Sequence, residues 1–323
     1  DRAVSRKAGL AEAVGDNLPS WRTVLEPHPD VATGNFHAAQ FAADLHEVAA
    51  GRAGSEYGEP VPFFERTYLT EGLKDLLLRA ARRLGGDPGA SPVINLQTTF
   101  GGGKTHSMLA VWHLASGTPI LQLPQDLRDL LAGHDLPTGA RRVAIVGNHL
   151  QAGAPNIMED GTVCHTLWGV LAWRLGGPEG YAMVADADRT HTNPGSKLRE
   201  LFERFGPAVI LIDEWVAYAR ELYGRDDLPG GTFDTQFTFA QTLTEAAKAV
   251  PGVLVLVSIP ASAEMNEGEF VTNDEEVGGQ NGRETLHRLQ RVVARVADQW
   301  RPADADESFE IVRRRLFVSP DRA

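Results

Sequence analysis

Pro92-Val93-Ile94-Asn95-Leu96-Gln97-Thr98-Thr99-Phe100-Gly101-Gly102-Gly103-Lys104-Thr105-His106 runs from a short apolar segment through a glycine-rich turn to a lysine–threonine pair. A second apolar run follows, so the order is buried strand, loop, helix. That order suits the phosphates of a nucleotide. The three glycines let backbone N–H groups turn inward without side-chain clashes. Lys104 is expected to reach the β- and γ-phosphates, and the Thr105 hydroxyl to sit on Mg²⁺. A helix starting near Gly103 points its positive end at the same anion. The expected nucleotide contacts are therefore Thr99, Phe100, Gly101, Gly102, Gly103, Lys104, Thr105 and His106, although helix packing is the favoured role for His106. The usual pattern is G-x-x-x-x-G-K-[ST], and here Thr98 stands at the first glycine position. A lone Gly-Gly-Gly-Lys-Thr could be a flexible surface turn. The runs Val93, Ile94, Leu96 before it and Met108, Leu109, Val111, Trp112, Leu114 after it argue against that.

Further apolar runs lie at 142–147, 208–212 and 253–259. None alternates, which is the mark of parallel strands covered on both faces. Helical patterns separate them, over 163–175, 196–205 and 233–250. An earlier helix is read over 69–84, with Thr70 as its N-cap and Gly85-Gly86 as its stop. Strands alternating with helices predict a doubly wound α/β sheet.

The run Val209-Ile210-Leu211-Ile212 ends in Asp213-Glu214. Such a strand presents carboxylates at its carboxyl end, where ligands of open α/β sheets bind. Asp213 is expected to hold Mg²⁺, and Glu214 to orient and deprotonate an attacking water. The pair alone is a weak signal, since acids also favour helix N-termini. Together with Gly103-Lys104-Thr105 it is strong. Asp213 lies 109 positions after Lys104, leaving room for an added strand between them, a role assigned to the 142–147 run. An added strand and a glutamate beside Asp213 point to the hydrolytic branch of the phosphate-loop fold. Ser258, at the tip of the 253–259 strand, is a candidate contact for the γ-phosphate or the water. Asn148 is placed to hydrogen-bond Glu214.

From Arg283 to Phe317 the chain carries arginines, then Pro302, an acidic stretch, and a helix with Phe309, Val312 and Leu316 at helical spacing. This is similar to the passage from an AAA+ core into its helical lid. In that arrangement an arginine ahead of the last strand reaches a neighbouring subunit's nucleotide. Arg288 and Arg291 are the candidates, with Arg295 behind them. Arg313-Arg314-Arg315 is read as a solvated helix face.

The 323 residues are 42% hydrophobic and 23% charged, which suits a globular chain with a sizeable core. No run of about eighteen apolar residues suggests a membrane span, and residues 1–20 lack the apolar segment of a signal peptide. The single cysteine, Cys164, leaves no internal disulfide and fits a cytoplasmic location. A net charge of −12 argues against non-specific nucleic-acid binding through this region alone. The expected organisation is an N-terminal extension over 1–60 packed on the core, with a helix over 35–50. A phosphate-loop ATPase core follows over 61–300 with an acidic loop at 261–282, and the start of a lid over 301–323. The absence of an initial methionine suggests a piece of a longer protein.

The strings Phe63 to Gly72, Leu96 to Leu109, Leu211 to Arg220 and Phe309 to Phe317 resemble a family of large bacterial AAA+ ATPases with a domain-of-unknown-function label. The family includes PglY-like proteins of phage-defence gene clusters, encoded near DNA methylases and helicases. The resemblance implies ATP and Mg²⁺ as cofactors, with Lys104, Thr105, Asp213 and Glu214 as the functional residues. It further implies homo-oligomers and partners of the DNA methylase or helicase type. A nucleotide-binding scaffold without turnover and a motor that moves on DNA are the alternatives.

Overall fold

The computed structural model describes residues 26–33, 43–97, 103–260, 265–266, 269–270, 279–300 and 307–318. Trp21, Phe36, Phe41 and most of the acidic loop lie outside them, as do Thr98, Thr99, Phe100, Gly101 and Gly102.

Five strands form one parallel sheet: β1 (Val93–Leu96), β2 (Arg141–Val146), β3 (Ala208–Asp213), β4 (Val253–Ser258) and β5 (Asp298–Trp300). Their order is β5-β1-β4-β3-β2, and every pairing is parallel. The three central strands are buried from end to end, which explains their unbroken apolar runs. The strand between β1 and β3 is therefore β4. The 142–147 run, which the sequence assigns to that place, forms β2 at the sheet edge beyond β3. Parallel apolar strands carry no label for their neighbours, so the run's position in sequence was a poor guide to its position in space.

The helices packed on the sheet include α1 (Leu45–Ala49), α2 (Pro60–Glu65), α3 (Glu71–Leu84), α4 (Lys104–Leu114), α5 (Leu167–Arg189), α6 (Lys197–Phe205), α7 (Trp215–Arg220), α8 (Phe233–Ala249) and α9 (Gly279–Val293), and α10 (Ser308–Leu316) lies outside both cores. Two cores result. One joins α1 to α4 with Ile94, Leu96, Leu211 and Leu256, and the other joins α5 to α9 with Val93, Ile210, Ile212, Val255 and Val257. The alternation of strand residues between the two cores is the period of two expected of β-structure. Each fully buried Leu, Ile or Val contributes about 1.5–3 kcal/mol.

Local signals place several elements. The Thr70 hydroxyl accepts the Leu73 N–H at 3.1 Å, capping α3 as expected. At its other end α3 buries Arg83, whose guanidinium donates to the carbonyls of Val253, Ala247 and Val250. Those carbonyls close α8 and open β4, so a cation sits where a helix ends negative.

The helix expected over 163–175 begins later. Val163–Cys164 is a short strand paired with Asn156–Ile157, and Thr166 caps α5 through the Gly169 N–H. Gly177, at φ +60°, breaks α5 ahead of Pro178. The second arm returns, so that buried Asp188 meets the start of the first. Asp188 accepts the backbone N–H groups of His165 and Thr166 and the Thr166 hydroxyl, and lies within 3.1 Å of the His165 ring and 2.9 Å of the Tyr181 hydroxyl. Burial raises this carboxyl's pKa, but the bonds from Thr166 and His165 outweigh it and hold it below the ordinary value. Burial pushes the Cys164 thiol up to about 12.

The two ends of the described chain meet. Glu26–Pro27 pairs antiparallel with Phe317–Val318. Arg314 donates to the Glu65 carbonyl at 3.1 Å and pairs with Asp126, Arg315 lies over the Tyr57 ring, and Arg313 pairs with Glu310. The three arginines are thus half-buried and engaged within the chain, unlike the solvated face expected of them. Phe309 and Val312 on the same helix are exposed. Within the range assigned to the acidic loop, Met265–Asn266 pairs with Glu269–Phe270, and α9 begins at Gly279.

Candidate functional site at the carboxyl edge of the sheet

Gly103 precedes α4 with φ +75°, the left-handed region in which only glycine is unstrained. It therefore turns the chain into the helix, and Lys104 and Thr105 fall in the first turn. The Thr105 hydroxyl donates to Asp213 Oδ2 at 3.4 Å, across 108 residues of sequence. Asp213 closes β3, is 7% exposed, and accepts the Glu214 N–H on its other oxygen at 3.0 Å. The structure thus brings together Thr105 and Asp213, the two residues expected to hold a metal. A hydroxyl and a carboxylate oxygen are hard ligands, which suit Mg²⁺ with water completing its shell.

Ser258 belongs to the same edge. Ile212 pairs with Val257, so the next register position sets Ser258 beside Asp213. Ser258 alternates with Val257 and Ile259, and so lies on the α4 side of the sheet with Leu254 and Leu256. It is 2% exposed.

Glu214 has φ +56° and ψ 32°, a left-handed backbone at a residue with a side chain. Such a conformation costs about 1–3 kcal/mol and persists only where neighbours enforce it. One close neighbour is Gly147, which follows β2. A Cβ on Gly147 would lie 2.0 Å from the Glu214 carbonyl oxygen. Asn148, expected to bond Glu214, is exposed in the turn 147–149, and the contact is made by the Gly147 backbone instead. Next in that turn, His149 stacks on His46 of α1 at 4.2 Å.

The remaining candidates are dispersed. His106 stacks on Phe63 at 4.7 Å and shares a hydrogen bond with Thr67 at 3.1 Å. Burial and the nearby His113 lower its pKa to about 4, so it is neutral near pH 7. This is the packing role. Arg288 pairs with Asp234 at 2.8 Å and lies over the Phe237 ring at 4.1 Å. It lines an open cleft of about 570 Å³ with Tyr223, Phe233 and Glu284. Arg291 and Arg295 are exposed on α9 and just past it, ahead of β5.

Sequence reasoning missed Asn95. It is 1% exposed in β1, donates to Gln299 Oε1 at 3.1 Å and accepts the Ile259 N–H at 3.2 Å. The available signal was a lone amide in an apolar strand.

Residues 25–299 match the DUF499 N-terminal domain, and the chain belongs to that family. The match ends within β5, so it spans the whole sheet but for one residue. No curated protein and no solved structure matches the chain. Among the described residues, no helix is long and apolar enough to cross a membrane.

Proposed function

We propose that this domain binds and hydrolyses Mg²⁺-ATP as an AAA+-like phosphate-loop ATPase. The observation that carries the reading is the Thr105–Asp213 contact, formed directly after the left-handed Gly103 at the start of an eleven-residue helix. The sheet order supports it. β4 separates the strand that leads to Lys104 from the strand that ends in Asp213-Glu214, as expected of the hydrolytic branch.

In this reading Lys104 and the helix N-terminus bind the phosphates, and Thr105 with Asp213 holds the metal. Bound Mg²⁺ supplies charge neutralisation on the phosphate oxygens. Glu214 accepts a proton from the attacking water, and its fixed backbone aims the carboxylate. Ser258 hydrogen-bonds the γ-phosphate or the water. Arg288 or Arg291 stabilises the transferring group in a neighbouring subunit, so turnover is completed in a homo-oligomer. Arg291 is the better placed of the two, since Arg288 is paired within its own chain. Turnover drives a conformational change in a larger cytoplasmic assembly of the phage-defence or DNA-modification kind, an assignment resting on the four sequence strings above.

The test is phosphate release by purified protein carrying Lys104→Ala or Glu214→Gln, beside Mg²⁺-ATP affinity. Lys104→Ala is expected to lose binding, and Glu214→Gln to keep binding and lose turnover. Unchanged release with Glu214→Gln removes Glu214 as the base. Binding by the wild type without release, with any partner or DNA, favours a scaffold. Strand displacement coupled to turnover favours a DNA motor.

A further inference from the structure

β4 ends at Ser258, so Ile259 is the first residue beyond the ladder, and it is fully buried. A buried N–H at that point needs an acceptor. Asn95 Oδ1 provides it at 3.2 Å, and the same side chain donates to Gln299 on β5. An amide at the core position of a central strand is unfavourable unless its bonds are made. Valine or leucine would fill the place without that cost, so Asn95 earns its position through these two bonds. One residue on, the Pro260 carbonyl accepts from Gln290 Nε2 at 2.7 Å. Gln290 is half-buried on α9, the helix that carries Arg288 and Arg291.

We propose that Asn95 and Gln290 are positioning residues that clamp Ile259-Pro260 from two sides and thereby fix Ser258 beside Asp213. This rests on the ATPase reading above. Asn95 ties the strand end to β1 and β5. Gln290 ties it to α9, so a displacement of the arginine-bearing helix is passed to Ser258 through two residues of backbone. A residue that acts through Ser258 leaves nucleotide affinity in place and changes the rate of the chemical step.

Because a change at buried Asn95 can unfold the sheet, the primary variant is Gln290→Glu, which keeps the shape and loses the donor. Gln290→Lys, which restores a donor, is its rescue. Full chains are compared by amide hydrogen exchange at Ile259 without nucleotide, by Mg²⁺-ATP affinity and by steady-state ATP turnover. We expect Gln290→Glu to speed Ile259 exchange several-fold, hold affinity within about twofold and lower kcat about tenfold, with partial recovery in Gln290→Lys. Unchanged exchange overturns the clamp. Faster exchange with wild-type kcat overturns its role in positioning. A wild type that binds no Mg²⁺-ATP overturns the ATPase reading and this role with it. A wild type that turns over beside an unaltered Gln290→Glu overturns this inference alone.

Discussion

Gly147→Ala tests whether the backbone of Glu214 is held by contact with the end of β2. The new Cβ would stand 2.0 Å from the Glu214 carbonyl oxygen, 2.8 Å from its carbon and 3.2 Å from Tyr218 Cβ. Ordinary contact begins near 3.4 Å, so about 1.4 Å of separation must be found. The carbonyl cannot simply rotate away, because it accepts the Ala217 and Tyr218 N–H groups that open α7. Overpacking of this kind costs about 1–3 kcal/mol. A displacement of more than 1 Å at a reacting group costs about 100-fold in rate. Gly147→Ala is therefore expected to lower the melting temperature measurably and, on the proposed ATPase reading, to keep Mg²⁺-ATP binding and reduce kcat by about two orders of magnitude. Gly153→Ala is the control, since its Cβ would meet nothing within 4 Å. The assays are thermal unfolding and phosphate release at saturating Mg²⁺-ATP. A folded Gly147→Ala protein with kcat within threefold of wild type refutes the reasoning.

Other perturbations have equally definite outcomes. His113 is 1% exposed, donates from Nε2 to the Tyr57 carbonyl, and has its pKa lowered to about 3 by burial and by Arg142. The unfolded chain protonates this histidine near pH 6.5 and the folded one does not, so stability falls as pH drops below 6.5 and levels off near 3. The loss is about 2 kcal/mol at pH 5, and His113→Leu should remove it from the difference between denaturation curves at pH 7.5 and pH 5. Asp188→Ala strands the buried Thr166 N–H and leaves the His165 N–H without its acceptor, and is expected to cost about 3 kcal/mol by urea unfolding. Wild type loses Asp188's share of stability as pH falls through its lowered folded pKa, and a variant with an unchanged acid limb contradicts that. Arg83→Leu removes the side-chain donor from the carbonyls of Ala247, Val250 and Val253, and an unfolding free energy within about 0.5 kcal/mol of wild type would refute the role given to Arg83.

The parts of the fold legible in the sequence are those whose signal is local. The strands at 208–213 and 253–258 could be read because burial on both faces leaves no polar residue to interrupt them. Thr70 and Gly103 could be read because a cap and a left-handed turn each demand a residue type at one position. The Thr105–Asp213 contact was legible through chemistry, since a hydroxyl and a carboxylate expected to share one metal are expected to lie together. Strand order was not, because Val143 to Val146 and Val253 to Val257 are alike in composition and only the packed helices distinguish their places. The start of α5 was hidden for a similar reason: its N-terminus depends on Asp188, more than twenty residues downstream. Gly147 read as the last residue of a strand, whereas its importance lies in a close approach to Glu214 that hydropathy does not encode.

The place of β4 sets a timetable for biosynthesis. A nascent chain that has emerged as far as residue 250 already contains Lys104, Thr105, Asp213 and Glu214, but not β4, the strand that pairs with both β1 and β3. Both sheet partners of β1 arrive late, β4 from Val253 and β5 from Asp298. At about 5–20 residues per second, roughly 8 to 30 s separate the synthesis of Leu96 from that of Val253. Through that interval the apolar β1 strand lacks both of its sheet neighbours. Completion of the sheet is thus restricted to the end of the domain's translation, and the waiting β1 segment is where a chaperone has most to shield.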